Sequence, residues 1–325
     1  MIRTLPEDGV IREPGAYRIS MEVYHGQPCE GPSISSSGIR TIVNESPWHF
    51  WSQSNLNPNR YPETEQSDAL TLGKATHALV LGDEVFDEHF IYVPGDAPRR
   101  PTQQQITAYE QGRSTDVGKQ SVEWWRDFEV RAAGRALLTD TQIQHIGYMA
   151  ENVRKSPEAM LALTGGLTEV SLIWRDEITG VWLKSRPDVI PDNGWDAADL
   201  KTFAPRHKDL GFAVQRAITD HGYMMQMALA AMGAEAVFGV STSEYVLVFV
   251  QSSPPYCVIP VRLDEEALYL GKVLCRHGID TFARCLDRNE WPGPVEGIMT
   301  YTVPPSISGR IYDLQTKGEM PNVSR

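Results

Sequence analysis

Apolar and polar positions divide the chain into a helical first half and a strand-rich second half. In "SISSSGIRTIVNESPWHFWSQ", Ile39, Ile42 and Val43 recur at helical spacing behind Ser35 or Ser36 as a cap. Pro47 then opens a second, aromatic-rich turn with Trp48, Phe50 and Trp51. "DALTLGKATHALVLG" predicts a helix over 69–81 closed by Gly82, and further helices are predicted over 121–134, 139–154 and 156–163. Residues 1–30 and 53–67 read as irregular, and the polar, Gln-rich stretch 94–120 as a mobile or substrate-ordered segment.

From Thr168 the period changes to two. "TEVSLIWR", "VWLKSRPDVI" and "WDAADLKT" are three strand-like runs joined by the turns "DEITG" and "PDNG". A helix over 210–232 follows, then the strands "EYVLVFVQ" and "YCVIPVRL", then a long helix over 264–288 capped by Asp264. The order β-β-β-α-β-β-α behind a helical half predicts an α/β fold with one central mixed sheet flanked by helices. The expected organisation is an irregular segment over 1–20, one domain over 21–291 with its main sheet at 168–262, and an extended tail over 292–325.

The third strand raises a chemical question. Strand side chains alternate, so Asp199 and Lys201 share a face and Leu200 points the other way. A solvated ion pair on an edge strand accounts for this, and so does a metal-dependent hydrolase. No other lysine in the chain has an acid two positions before it. Asp188 lies on the preceding strand, and a short turn between the strands lets Asp188 and Asp199 face each other across an antiparallel ladder. Converging carboxylates repel unless a cation sits between them. Mg²⁺ is the natural occupant, with the Leu200 carbonyl as a further oxygen ligand and Lys201 beside a water nucleophile.

Other residues could join that site. His77 lies on a helix with Gly73, Ala75 and Ala78, small residues that let a helix approach a sheet; a lone helical His is more often structural. Tyr223 and Gln226 lie three apart on one helix face, either reaching toward a phosphate or sitting at the edge of a Met-rich core. Glu169 is a further acid, a metal ligand or base in one reading and solvent-facing in the other.

Composition narrows the class. No run of about 18 apolar residues occurs, so a membrane-spanning helix is not expected, and no secretory h-region is visible at the N-terminus. Cys29, Cys257, Cys275 and Cys285 form no CxxC pair, which points to reduced thiols in a cytosolic protein. A net charge of −12 argues against non-specific nucleic-acid binding through the bulk surface.

In this order, the residues resemble the PD-(D/E)XK nuclease superfamily, in its RecB-like branch. The phrases "SISSSGIRTIVNESPWHFW", "LTLGKATHALVLGDEVFDEHFIYVP" and "DLKTFAPRHKDLGFAVQRAITDHGYMMQMALA" are similar to the RecE-type exonuclease (exonuclease VIII) nuclease domain of phages and prophages, over about residues 20–290. The resemblance implies that Asp188, Asp199 and the Leu200 carbonyl bind Mg²⁺, or Mn²⁺ in its place, with His77 as a further ligand. It implies that Lys201 assists the water and that Gln226 and Tyr223 brace the site, with Glu169 at a less certain acidic position. It further implies 5′→3′ digestion of linear double-stranded DNA to a 3′ overhang, a ring-like homo-tetramer, and a separate single-strand annealing protein. The cysteine spacing differs from that of the iron–sulfur branch, so no cluster is expected. A DNA-degrading ring needs a positive lining; Lys184 and Arg186 on the Asp188 face lead the candidates, with Lys74, Arg206, Lys208 and Arg216. The alternatives are a CRISPR-associated or other endonuclease of the same fold, and a catalytically inactive DNA-binding or docking module.

Overall fold

The computed structural model describes residues 2–61, 68–81, 86–168, 170–190, 197–240 and 244–323. The chain opens with strands β1 (Ile2–Thr4) and β2 (Gly15–Arg18), helix α1 (Met21–His25), strand β3 (Ser33–Ser35), and helices α2 (Ser36–Asn44), α3 (Pro47–Gln53) and α4 (Asp68–Leu81). A second helical stretch follows: α5 (Phe86–His89), β4 (Phe90–Tyr92), α6 (Gln103–Glu110), α7 (Asp116–Ala132), β5 (Ala136–Leu138), α8 (Asp140–Lys155) and α9 (Pro157–Leu163). The strand-rich half holds β6 (Leu167–Thr168), β7 (Ser171–Arg175), β8 (Trp182–Ser185), β9 (Val189–Ile190) and β10 (Ala197–Phe203). It ends with α10 (Leu210–Asp220), α11 (Tyr223–Phe238), β11 (Tyr245–Gln251), β12 (Val258–Leu263), α12 (Glu265–Arg288) and α13 (Pro305–Thr316).

The architecture is mixed α/β, and its strands divide between two five-stranded sheets, β1-β2-β7-β8-β3 and β12-β11-β10-β9-β6, with β4 and β5 forming a separate pair. The single run "VWLKSRPDVI" is the reason for the division. Pro187 has no N–H to give a ladder and restricts Arg186 before it, so the run breaks into β8 in the first sheet and β9 in the second.

Helix α11 joins the two sheets into one core. Its sequence is apolar on nearly every side, and Met225, Met227, Ala228, Leu229, Ala230 and Ala231 are all buried. Met225, Ala228 and Leu229 pack with α2, α12 and the first sheet, while Met227, Ala230 and Ala231 pack with β10 and β11 of the second. The other face of β10, Ala198 and Leu200, packs with β11 and helices α4, α8 and α9. Strand β10 is thus covered on both faces, which suits its parallel ladder with the fully buried β11.

Four segments differ from the sequence expectation. Residues 1–20 contribute β1 at the edge of the first sheet and β2 between β1 and β7, strands of three and four residues, too short for an apolar period to show. The stretch 94–120 holds α6, started by a reciprocal capping box between Thr102 and Gln105, and the first turn of α7. The tail contains α13, of which no residue is buried. The helix expected over 210–232 is two, separated at His221–Gly222, where Gly222 takes φ +62°.

Candidate active site

Val189 and Ala198 pair antiparallel, which sets Asp188 and Asp199, one step farther along each strand, opposite each other. The "PDNG" turn that links these strands lies outside the described residues. Pairing is reinforced by a side chain: the Leu200 N–H donates to Asp188 Oδ2 at 2.7 Å. Asp199 and Lys201 lie on the β10 face toward α10 and α11, and Leu200 points into the opposite core.

Four further groups converge on the two acids. Helix α4 lies so close to β10 that a Cβ on Gly73 would stand 2.9 Å from Thr202 Oγ1. One turn on, His77 Nε2 lies 2.7 Å from Asp188 Oδ2. Lys201 Nζ pairs with Asp199 Oδ2 along the strand. Gln226 Nε2, in the first turn of α11, donates to Asp199 Oδ1 at 2.9 Å. Tyr223, three residues earlier, holds its ring centroid 4.8 Å from Lys201 Nζ.

The electrostatics follow from burial in a shared low-dielectric space. Burial raises the Asp188 carboxyl, but His77, Lys201 and the Leu200 N–H outweigh it and hold Asp188 below the ordinary carboxylate range. Asp199 is pushed up to about 6, by burial and by the charge of Asp188, against the pull of Lys201 and His77. Burial works against the Lys201 ammonium, yet Asp199 and Asp188 raise its pKa above the usual lysine value.

The donor set fits a hard divalent cation. Two carboxylates that repel each other lie side by side, with the charges of His77 and Lys201 set against them. Gln226 Oε1 is buried with no hydrogen-bond partner among the described residues. Asp188 and Asp199 would hold the ion. His77 Nε2 and the Leu200 N–H both stand at Asp188 Oδ2, so in this arrangement His77 orients that ligand. Among the described residues no group of three or more His, Cys, Asp or Glu side chains is gathered closely enough to enclose an ion. Glu169 lies outside the described residues.

The expected DNA-contact residues separate into two sets. Lys184 and Arg186 do not share the Asp188 face, because the break at Pro187 sends them to the other sheet. Lys184 is 3% exposed, and its ammonium donates to the carbonyls of Tyr24 and Gly26 at 2.7 and 2.8 Å. Burial lowers its pKa to about 8, so it is a buried tie rather than a phosphate contact. Arg186 donates to Ser171 Oγ and to the Ile19 carbonyl and lies over the Tyr24 ring. Arg216 is exposed but engaged with Asp220 one turn on. Lys74 is exposed on α4, and Arg206 and Lys208 are exposed in the bend between β10 and α10. Trp51 stacks on Trp291 at 4.5 Å, both half-buried.

Sequence reasoning missed Arg40. It sits on α2, and Nη1 donates to the His221 carbonyl at 2.8 Å, beside Tyr223. Its partners lie some 180 positions away in the chain, so no local pattern could flag it.

This arrangement, an Asp and an Asp-x-Lys on adjacent strands of a mixed sheet with a helical His and a Gln behind them, is that of the PD-(D/E)XK fold. The chain belongs to the family of PDDEXK-like domains of unknown function, DUF3799, whose model matches residues 35–302. PD-(D/E)XK nucleases generally use divalent metals. Among solved structures, one from Eubacterium rectale, described as a candidate exonuclease, superposes with a TM-score of 0.57 at 15% identity, over 90% of this chain and 98% of that one. A phage-related exonuclease from Haemophilus somnus 129PT is 13% identical over 66% of this chain and 95% of its own, but its TM-score of 0.27 carries no argument. No curated protein matches the sequence. No helix among the described residues is long and apolar enough to cross a membrane.

Proposed function

We propose that this chain is a Mg²⁺-dependent exodeoxyribonuclease that degrades linear double-stranded DNA from 5′ to 3′ and leaves 3′ single strands for recombination by strand annealing. The observation that carries the hydrolase reading is the opposed Asp188–Asp199 pair with Lys201 two residues along the same strand. Mg²⁺ held there supplies Lewis-acid polarisation of the scissile phosphate, and Mn²⁺ would substitute.

The chain's own residues then divide the work. Gln226 fixes the orientation of Asp199 through its amide, and His77 and the Leu200 N–H fix Asp188. Lys201, 18% exposed and anchored by Asp199, presents its ammonium where it can hold the attacking water and offset charge developing on the phosphate. Tyr223 limits where that ammonium can go. Exposed Arg206 and Lys208 would meet the DNA backbone without reading sequence. The partners in this reading are DNA ends, further copies of the chain in a tetrameric ring, and a single-strand annealing protein, in the cytoplasm of a bacterial host.

The test is digestion of linear and closed-circular duplex DNA with Mg²⁺, using wild type and Lys201→Ala. Loss of linear DNA alone, with wild type alone, is the expected result. Cutting of the closed circle would make the enzyme an endonuclease. No cutting of either by folded protein, with Mg²⁺ or Mn²⁺, would remove the hydrolase reading.

A further inference from the structure

Helix α2 presents Arg40 and Asn44, one turn apart, to the junction of α10 and α11. The Arg40 stem and the Asn44 amide press on Gly222, where a Cβ would come within 3.2 Å of Arg40 Cδ and 3.1 Å of Asn44 Nδ2. Gly222 caps α11 with a left-handed backbone and no side chain, so the start of α11 depends on what surrounds it. The Arg40 hydrogen bond to the His221 carbonyl supplies an external anchor at that point.

What begins there is the active-site turn. Tyr223 and Gln226 follow directly, and the Arg40 guanidinium carbon lies 5.8 Å from the Tyr223 ring centroid. The same ring has Lys201 Nζ 4.8 Å from its centroid. One aromatic face system therefore touches two cations, one on a fixed helix and one in the site. Arg40 Nε is buried with no partner among the described residues, an arrangement that costs stability and that a neutral packing residue would avoid.

We propose that Arg40 is a positioning residue of the active site: it clamps the α10–α11 junction and backs the Tyr223 ring, so that Gln226 reaches Asp199 and Lys201 keeps its direction. This inference rests on the nuclease reading for its consequence in catalysis. Arg40 acts through Tyr223 and Gln226 and does not touch DNA.

The experiment uses the full chain with Arg40→Ala, Arg40→Lys, Tyr223→Leu and the Arg40→Ala/Tyr223→Leu double variant. Arg40→Gln, which keeps the stem against Gly222, replaces the alanine variant should that one not fold. Cleavage kinetics on linear DNA with Mg²⁺ separate kcat from KM, and affinity for the same DNA is measured with Ca²⁺ in place of Mg²⁺. Misplacement of catalytic groups predicts a kcat loss of about 10- to 100-fold for Arg40→Ala, with partial recovery in Arg40→Lys. KM and Ca²⁺-supported affinity should move less than about threefold, and Arg40→Ala should cost less than about threefold more once Tyr223 is gone. Weaker DNA binding at unchanged kcat, or full additivity with Tyr223→Leu, overturns the proposal. Should wild type cleave no DNA, the nuclease reading fails by itself. The ¹H–¹⁵N signals of the Gln226 side-chain amide then decide: a shift in Arg40→Ala sustains the clamp, and unchanged signals overturn it.

Discussion

Asp188, directly before β9, and Asp199 on β10 stand opposite each other, yet they are held by different partners: Asp188 by His77 and a backbone N–H, Asp199 by Lys201 and Gln226. Each acid is oriented from its own side, by α4 or by α11. The space between them is left to mutual repulsion, which a divalent cation would relieve.

That repulsion has a measurable sign. In metal-free protein the Asp199 carboxyl titrates at about 6, above its ordinary 3.8. Between these values the native state binds more protons than the unfolded chain, so stability falls as pH rises through this window. The shift corresponds to about 3 kcal/mol. Asp188, held low, contributes the opposite slope below the ordinary carboxylate value, and Lys201, held high, contributes at alkaline pH. Thermal melts of metal-free protein should show wild type losing stability as pH rises from about 4 to about 6, relative to Asp199→Asn. Added Mg²⁺ should recover stability in wild type and not in the variant.

Removing the Gln226 amide leaves Asp199 Oδ1 buried without its donor. Gln226→Leu should cost about 1–3 kcal/mol in stability, as an unsatisfied buried acceptor does. Cleavage by the folded fraction should fall about 10- to 100-fold through misorientation of the carboxylate. Urea titration and single-turnover digestion of linear DNA separate the two effects. Full activity in Gln226→Leu would show that Lys201 alone orients Asp199.

Lys184 supports the fold. Lys184→Met leaves the carbonyls of Tyr24 and Gly26 without their donor and should cost about 1–3 kcal/mol. DNA affinity of the folded variant, followed against salt concentration, should match wild type. A reduced salt slope would place Lys184 on DNA after all.

Arg206 and Lys208, exposed in the bend after β10, should behave in the opposite way. The double alanine variant should keep its melting temperature and bind linear DNA more weakly whatever its sequence. The slope of log affinity against log salt should fall by about one per lost phosphate contact. An unchanged slope would remove this bend from the DNA path.

How much of this was legible before folding depends on the range of each interaction. The helices α8 and α9 announce themselves by apolar stripe and cap, α4 by its apolar run, and β10 and β11 as short apolar runs between polar turns, all of them local signals. Strands β1 and β2 do not, since three or four residues held by backbone pairing are too few to show a period. Helix α6 was hidden by a polar composition that its capping box overrides.

By itself the sequence determined which residues ride on which elements: Asp199 and Lys201 on one face of a strand, Asp188 on the run before it, His77 on a helix kept slim by Gly73, and Tyr223 and Gln226 one turn apart. Only the tertiary structure decided which of them meet. The break at Pro187 put Lys184 and Asp188, four residues apart, into different sheets, one a buried tie and the other in the site. The packing of α2 on α11 brought Arg40 to His221 and Tyr223 from more than 180 positions away. Spacing along one element constrains direction, but meeting across elements depends on how sheets divide and helices pack, which no local period encodes.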